Sequence, residues 1–137
     1  MGLFDRVKDM FSGDSGEAPP ELPLDVETRR AQLDELENAL RDLARAMAGD
    51  EDRISNPGWR GRVEDLRFAA NEAGRIAHEG FDRAALHDVA AEVRPLYNPG
   101  QVPPEYAPYT AQHERVLQAV AALRSTLPSE SGPPSGT

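Results

Sequence analysis

The chain has 137 residues, no cysteine, and 24 acidic against 15 basic side chains, for a net charge of −9. That length supports one modest core rather than two. The acidity argues against nucleic acid, whose phosphates are bound through basic surface, and without cysteine neither disulfides nor thiolate metal sites can form.

The first predicted element is a short amphipathic helix over residues 1–12. Leu3, Phe4, Val7, Met10 and Phe11 fall within an arc of roughly 120° at helical spacing. Lys8 and Arg6 flank that arc, where their aliphatic stems can lie along an apolar surface while their heads stay in water. Burying about 400 Å² of such side chains gains on the order of 10 kcal/mol. Ordering about ten residues costs a similar amount, so the segment needs a surface to fold on. A membrane, the groove of a protein partner and the protein's own core are the three surfaces on offer. Arg6 and Lys8 nearly cancel Asp5 and Asp9, so attraction to anionic lipid adds little. The segment resembles the interfacial helices that begin some peripheral membrane proteins, including those of the phage-shock protein A type. The resemblance covers residues 1–11, and the short, proline-interrupted helices that follow depart from the long coiled coil of that family.

Residues 13–24 combine Gly, Ser, Pro and acidic side chains, too polar to bury and too broken for a helix, and are expected to form a disordered tether. Its ends would lie roughly 20 Å apart on average. No run approaches the roughly 20 apolar residues of a membrane span, none has the form of a secretory signal, and Arg6 stands where a myristoylation signal wants Ser or Thr. The expected location is the cytoplasm, with any membrane contact peripheral, at the inner face.

A helical bundle is expected over residues 25–127. Its first helix runs from an Asp25 cap to Gly49, with Val26, Leu33, Leu36, Leu40, Leu43 and Met47 in one seam that Arg29 interrupts. After the turn Asn56-Pro57-Gly58, a second helix over about 59–77 carries Val63, Leu66, Ala70, Ala73 and Ala77, small residues that let two helix axes approach closely. A third helix opens at Asp82 and stops at Pro95. A proline-rich crossing over 95–109 leads to the last helix, from a Thr110 cap to about Leu127, before a disordered tail over 128–137. The expected fold is all-α, a small bundle of about four helices preceded by the tethered N-terminal helix.

Candidate chemistry is sparse. His78, His87 and His113 lack the Glu-x-x-His spacing of bundle di-metal sites and read as solvated or singly hydrogen-bonded surface groups. No Gly-x-Ser-x-Gly elbow or phosphate-binding glycine loop is present. Pairs such as Arg60 with Glu64 and Arg75 with Glu79 have the i, i+4 spacing of a solvated helix face. Pro103-Pro104-Glu105-Tyr106 has the Pro-Pro-x-Tyr form bound by WW-type modules, with a rigid connector to the final helix as the plainer reading. Arg60, Arg67 and Arg75 recur on one side of their helix beside Phe68 and form a candidate partner patch, with a salt-bridged surface as the plainer reading.

The reading is therefore of a non-catalytic accessory or adaptor without cofactor or metal. It docks on a membrane surface or protein partner through Leu3, Phe4, Val7, Lys8, Met10 and Phe11, a protein partner can take the bundle, and the sequence is compatible with a homo-oligomer. A bundle that binds a small molecule is the alternative.

Overall fold

The computed structural model describes residues 23–98 and 100–130, all helices and turns with no strand among them. The N-terminal segment 1–12, residues 13–22 of the expected tether and the tail from residue 131 lie outside the described residues. Contacts separate a body, Leu24–Leu127, from a second unit that includes Pro23 and Pro128–Glu130.

Helix α1, Val26–Ala48, starts where the Asp25 carboxylate accepts from the Thr28 amide at 3.2 Å. From Leu33 on its seam becomes the centre of the body, with Leu33, Leu36, Leu40, Leu43 and Met47 shut off completely from solvent, whereas Val26, expected in the same seam, lies before the packed part of the helix and is 42% exposed. Helix α2, Pro57–Glu79, is begun by Asn56, whose side-chain oxygen accepts from the Gly58 and Trp59 amides at 2.8 and 3.2 Å, with Pro57 in the first helical position. It runs antiparallel to α1. At one end Arg30 donates to the Ala77 carbonyl, and at the other Trp59 Nε1 donates to the Met47 carbonyl at 2.8 Å.

The approach between these two helices is close because α2 offers small residues. Ala70 and Ala73 are fully buried, and at Gly74 a Cβ would lie 2.8 Å from the Glu37 carboxylate on α1. Glu37 is held there by Arg41, which also donates to Asn71 of α2 at 3.0 Å.

Helix α3, Arg83–Glu92, is capped by Asp82, which accepts from the Ala85 amide at 2.8 Å. It lies on α2 and α4 and, among the described residues, makes no backbone-level contact with α1. It ends at Glu92, three residues before Pro95, because residues 93–95 run extended toward the last helix. Helix α4, Thr110–Arg124, packs antiparallel along the other side of α1. Arg115 bridges the pair, reaching Glu35 at 2.8 Å and Asp42 at 2.6 Å and holding both carboxyls below their ordinary pKa range.

Both ends of α4 differ from expectation. Thr110 is its first residue rather than its cap, because the 3₁₀ turn Pro104–Tyr109 feeds directly into it. At the other end the helix stops at Arg124, three residues before Leu127. There the Arg29 guanidinium, 2% exposed, donates to the carbonyls of Ala122, Leu123 and Ser125 at 3.1, 3.2 and 2.6 Å. A helix C-terminus leaves its last carbonyls unpaired and partially negative. The residue that breaks the apolar seam of α1 therefore acts as the cap of α4. Pro128–Glu130, expected to begin the disordered tail, form a short 3₁₀ turn, with Pro128 fixing φ at its first position.

Two substitutions test this packing by denaturant unfolding. Leu36→Ala empties a site with no solvent exposure and is expected to cost about 2–5 kcal/mol. Gly61→Ala adds a Cβ with nothing within 4 Å inside α2 and is expected to stabilise by about 0.5–1 kcal/mol.

Candidate functional site

The docking residues Leu3, Phe4, Val7, Lys8, Met10 and Phe11 lie outside the described residues. The second group, Arg60, Arg67, Phe68 and Arg75, falls on α2, where its members do different things. Arg60 turns back to the loop before its helix and donates to the carbonyls of Ser55 at 2.8 Å and Ile54 at 3.4 Å, in place of the expected pairing with Glu64. Carbonyls at a fixed backbone position compete well with a mobile side chain on an exposed face. Arg75 is held by Glu72 at 2.8 Å and Glu79 at 3.1 Å, an exposed ion-pair cluster that raises its own pKa and lowers that of Glu72. Arg67 is exposed, with no ion pair among the described residues.

Phe68 is different. Its ring is 58% exposed, the most open of the large apolar side chains described. It borders a groove of about 630 Å³, with Leu66 and Ala69 of α2 on one wall, Val93 and Leu96 on the other, and Leu40 of α1 as the floor. Arg62, Asp65, Glu92 and Arg94 also line it, two charges of each sign, so the groove has an apolar base and a balanced polar border. The groove exists because α3 is only ten residues long. Beyond Glu92 the wall facing α2 is made by residues 93–96, which are not helical. Residues 93–96 could not be placed beside Phe68 from sequence, since nothing in the helical spacing indicates where the crossing runs, whereas Arg62 shares α2 with Phe68 and was open to a reading from helical spacing.

An aromatic cluster closes the neighbouring end of the body. Trp59 stacks on Tyr106 with ring centroids 5.2 Å apart and meets Tyr109 at 5.8 Å; Tyr106 meets Tyr97 at 5.3 Å, and Tyr97 stacks on His113 at 4.2 Å. The Tyr109 hydroxyl donates to Asp50 at 2.7 Å. Burial and that carboxylate push its pKa up to about 12, while the same hydrogen bond, helped by Arg53, lowers that of Asp50. Tyr106 is 5% exposed, so the residue a WW-type groove would have to grip is part of the core. In this conformation Pro103 and Pro104 deliver that tyrosine to Trp59.

The histidines divide as well. His78 and His87 are exposed. His113 is a correction to the surface reading, being 3% exposed, with Nε2 accepting from the Leu96 amide at 3.0 Å. Its place on the inner side of α4, one turn before Val116, was the available signal. Among the described residues no three His, Asp or Glu side chains converge as a metal site, and no helix is long and apolar enough to cross a membrane. Comparison of the chain with protein-family models, with curated proteins and with solved structures finds no match.

Asp50 provides a pH test. Its folded pKa is depressed, so its stabilising contribution is complete above the ordinary value of 3.8 and is lost as pH falls through the folded value. Tyr109→Phe removes the leading cause of that depression. The Asp50 carboxyl is then expected to titrate closer to 3.8, with a smaller loss of melting temperature on the acid side. Carboxyl-carbon NMR and thermal melts between about pH 2 and 6 check both.

Proposed function

We propose that the protein is a non-catalytic accessory or adaptor, docked on a membrane surface or a protein partner through residues 1–11, with the bundle offering the groove beside Phe68 to an apolar segment of a second protein. The observation that carries the reading on the bundle is Phe68 itself. A phenylalanine held open on a rigid helix, above an apolar base and between charges of both signs, has the composition of an interface centre with a polar border. The amphipathic pattern of residues 3–11 supports the second point of attachment. An accessory role in the cytoplasm, peripheral at the inner face of the membrane where lipid is the dock, is the setting this reading implies.

The groove volume favours one further reading, a bundle that takes a small molecule, since about 630 Å³ falls within the usual 300–1,000 Å³ of ligand pockets. The two make different demands on the same residues. An adaptor needs both Phe68 and the N-terminal segment, whereas a small-molecule carrier needs the groove alone.

Cell-expressed full-length protein, a version lacking residues 1–12, Phe4→Glu and Phe68→Glu should be recovered and compared for membrane fractionation and co-purifying proteins. Phe4→Glu and the truncation are expected to abolish localisation or capture by the first dock. Lys8→Gln should weaken it by less than about 1 kcal/mol, as befits an exposed charge. Phe68→Glu is expected to lose the bundle partner while the first dock holds. If Phe4→Glu and Phe68→Glu both leave distribution and partners unchanged, the adaptor reading is overturned. A small molecule that co-purifies with the native protein and with the truncation, but not with Phe68→Glu, would establish the alternative.

A further inference from the structure

Residues 93–97 are held to the body in an unusual way. Val93 and Pro95 line the groove beside Phe68 on one side and, on the other, a second cavity of about 390 Å³ against Leu117, Val120 and Arg124 of α4. This stretch is therefore a single run of irregular chain dividing two spaces, bent at residues 96–97 and without a helical ladder of its own. Its polar attachment to α4 is the hydrogen bond from the Leu96 amide to His113 Nε2, backed by the stacking of Tyr97 on the imidazole face.

We propose that His113 is an acid-sensitive latch: the neutral ring holds residues 93–97 against α4, and protonation releases them, opening the partition between the two cavities. The chemistry follows from the acceptor role. An imidazole nitrogen that accepts from a backbone amide must be unprotonated, and a protonated ring carries N–H on both nitrogens. It then faces the Leu96 N–H donor to donor, with the charge buried as well. The partner atom is a backbone N–H, which has no lone pair to offer a second donor, so the hydrogen bond is lost on protonation and segment and ring are driven apart.

The surroundings offer the cation little. Tyr97 lies flat against the ring, and Tyr106 lies against Tyr97. On α4 itself Glu114 favours the charged form, but burial outweighs it and the imidazole pKa is lowered from 6.5. The α1 carboxylates that face α4, Glu35 and Asp42, are engaged by Arg115, and Asp50 is engaged by Tyr109 and Arg53. Because the folded pKa lies below 6.5, the latched state is fully stable above that value. It loses stability as pH falls from 6.5 through the folded pKa.

The proposal rests on the contact between His113 and Leu96 and not on what occupies the groove, so its test reads the contact. Isotope-labelled full-length protein is followed by NMR from about pH 7.5 down through the whole His113 imidazole titration, with that titration and the exchange of individual amides measured on the same samples. After correction for intrinsic exchange, the Leu96 amide is expected to lose protection by about tenfold or more as His113 titrates, while amides of residues 36–43 keep theirs. His113→Gln, whose side-chain oxygen can accept the same bond but does not titrate, should keep Leu96 protected across the range. Equal protection of Leu96 on both sides of the His113 titration in the native protein would overturn the proposal. So would the same loss of protection in His113→Gln. The native measurement decides alone if that variant does not fold.

Discussion

The body depends on burying one stripe of α1. Five side chains, from Leu33 to Met47, are removed entirely from water, and a single helix cannot do this for itself. It needs neighbours on two flanks, and α2 and α4 supply them. The two flanks are met differently. Against α2 the leucines face alanines and Gly74, so the backbones draw close and Glu37 is caught between them. Against α4 the larger Val116, Val120 and Leu123 fill the space, and Arg115 spans it with ion pairs. Among the described residues the third helix makes backbone-level contact with α2 and α4 but not with α1, and its shortness leaves the groove beside Phe68.

The elements of the body were legible in the sequence where a local rule determined them. Asp25 and Asp82 are caps that work through hydrogen bonds three residues away, and such geometry can be read from spacing, whereas Asn56, read only as part of a turn, turns out to cap α2, which starts two residues earlier than expected. The leucine seam and the small residues of α2 were equally plain, because helical periodicity selects the face that is buried. What escaped were features set by a distant partner. Arg29 reads as a flaw in the seam until the end of α4 is brought beside it. The stop of α4 at Arg124 is invisible for the same reason, since its cap lies more than ninety positions earlier.

The candidate site follows the same division. That Phe68 stands off the apolar seam was readable, and it is the described member of its group that opens onto a groove. The arginines around it share a helix face but not a task. Arg60 serves a loop and Arg75 an ion-pair cluster, choices made by carbonyls and carboxylates whose positions spacing alone does not give. His113 shows the converse. Its polarity suggested a surface position, but its register put it inside, where a backbone amide of the crossing satisfies it. Polar residues on an inner register are best read as waiting for a partner from elsewhere in the chain.

The capping of α4 by Arg29 also has a bearing on the order in which the chain can fold. The guanidinium is separated from its carbonyl acceptors by 93, 94 and 96 residues. A ribosome that has released α1 and α2 has produced a hairpin with local contacts, but Arg29 must stay hydrated until the last turn of α4 emerges. Closing so long a loop is slow relative to pairing the hairpin. The first helix thus carries from the start a charged group that becomes buried only when the final one arrives, so the body seals where its chain begins and ends.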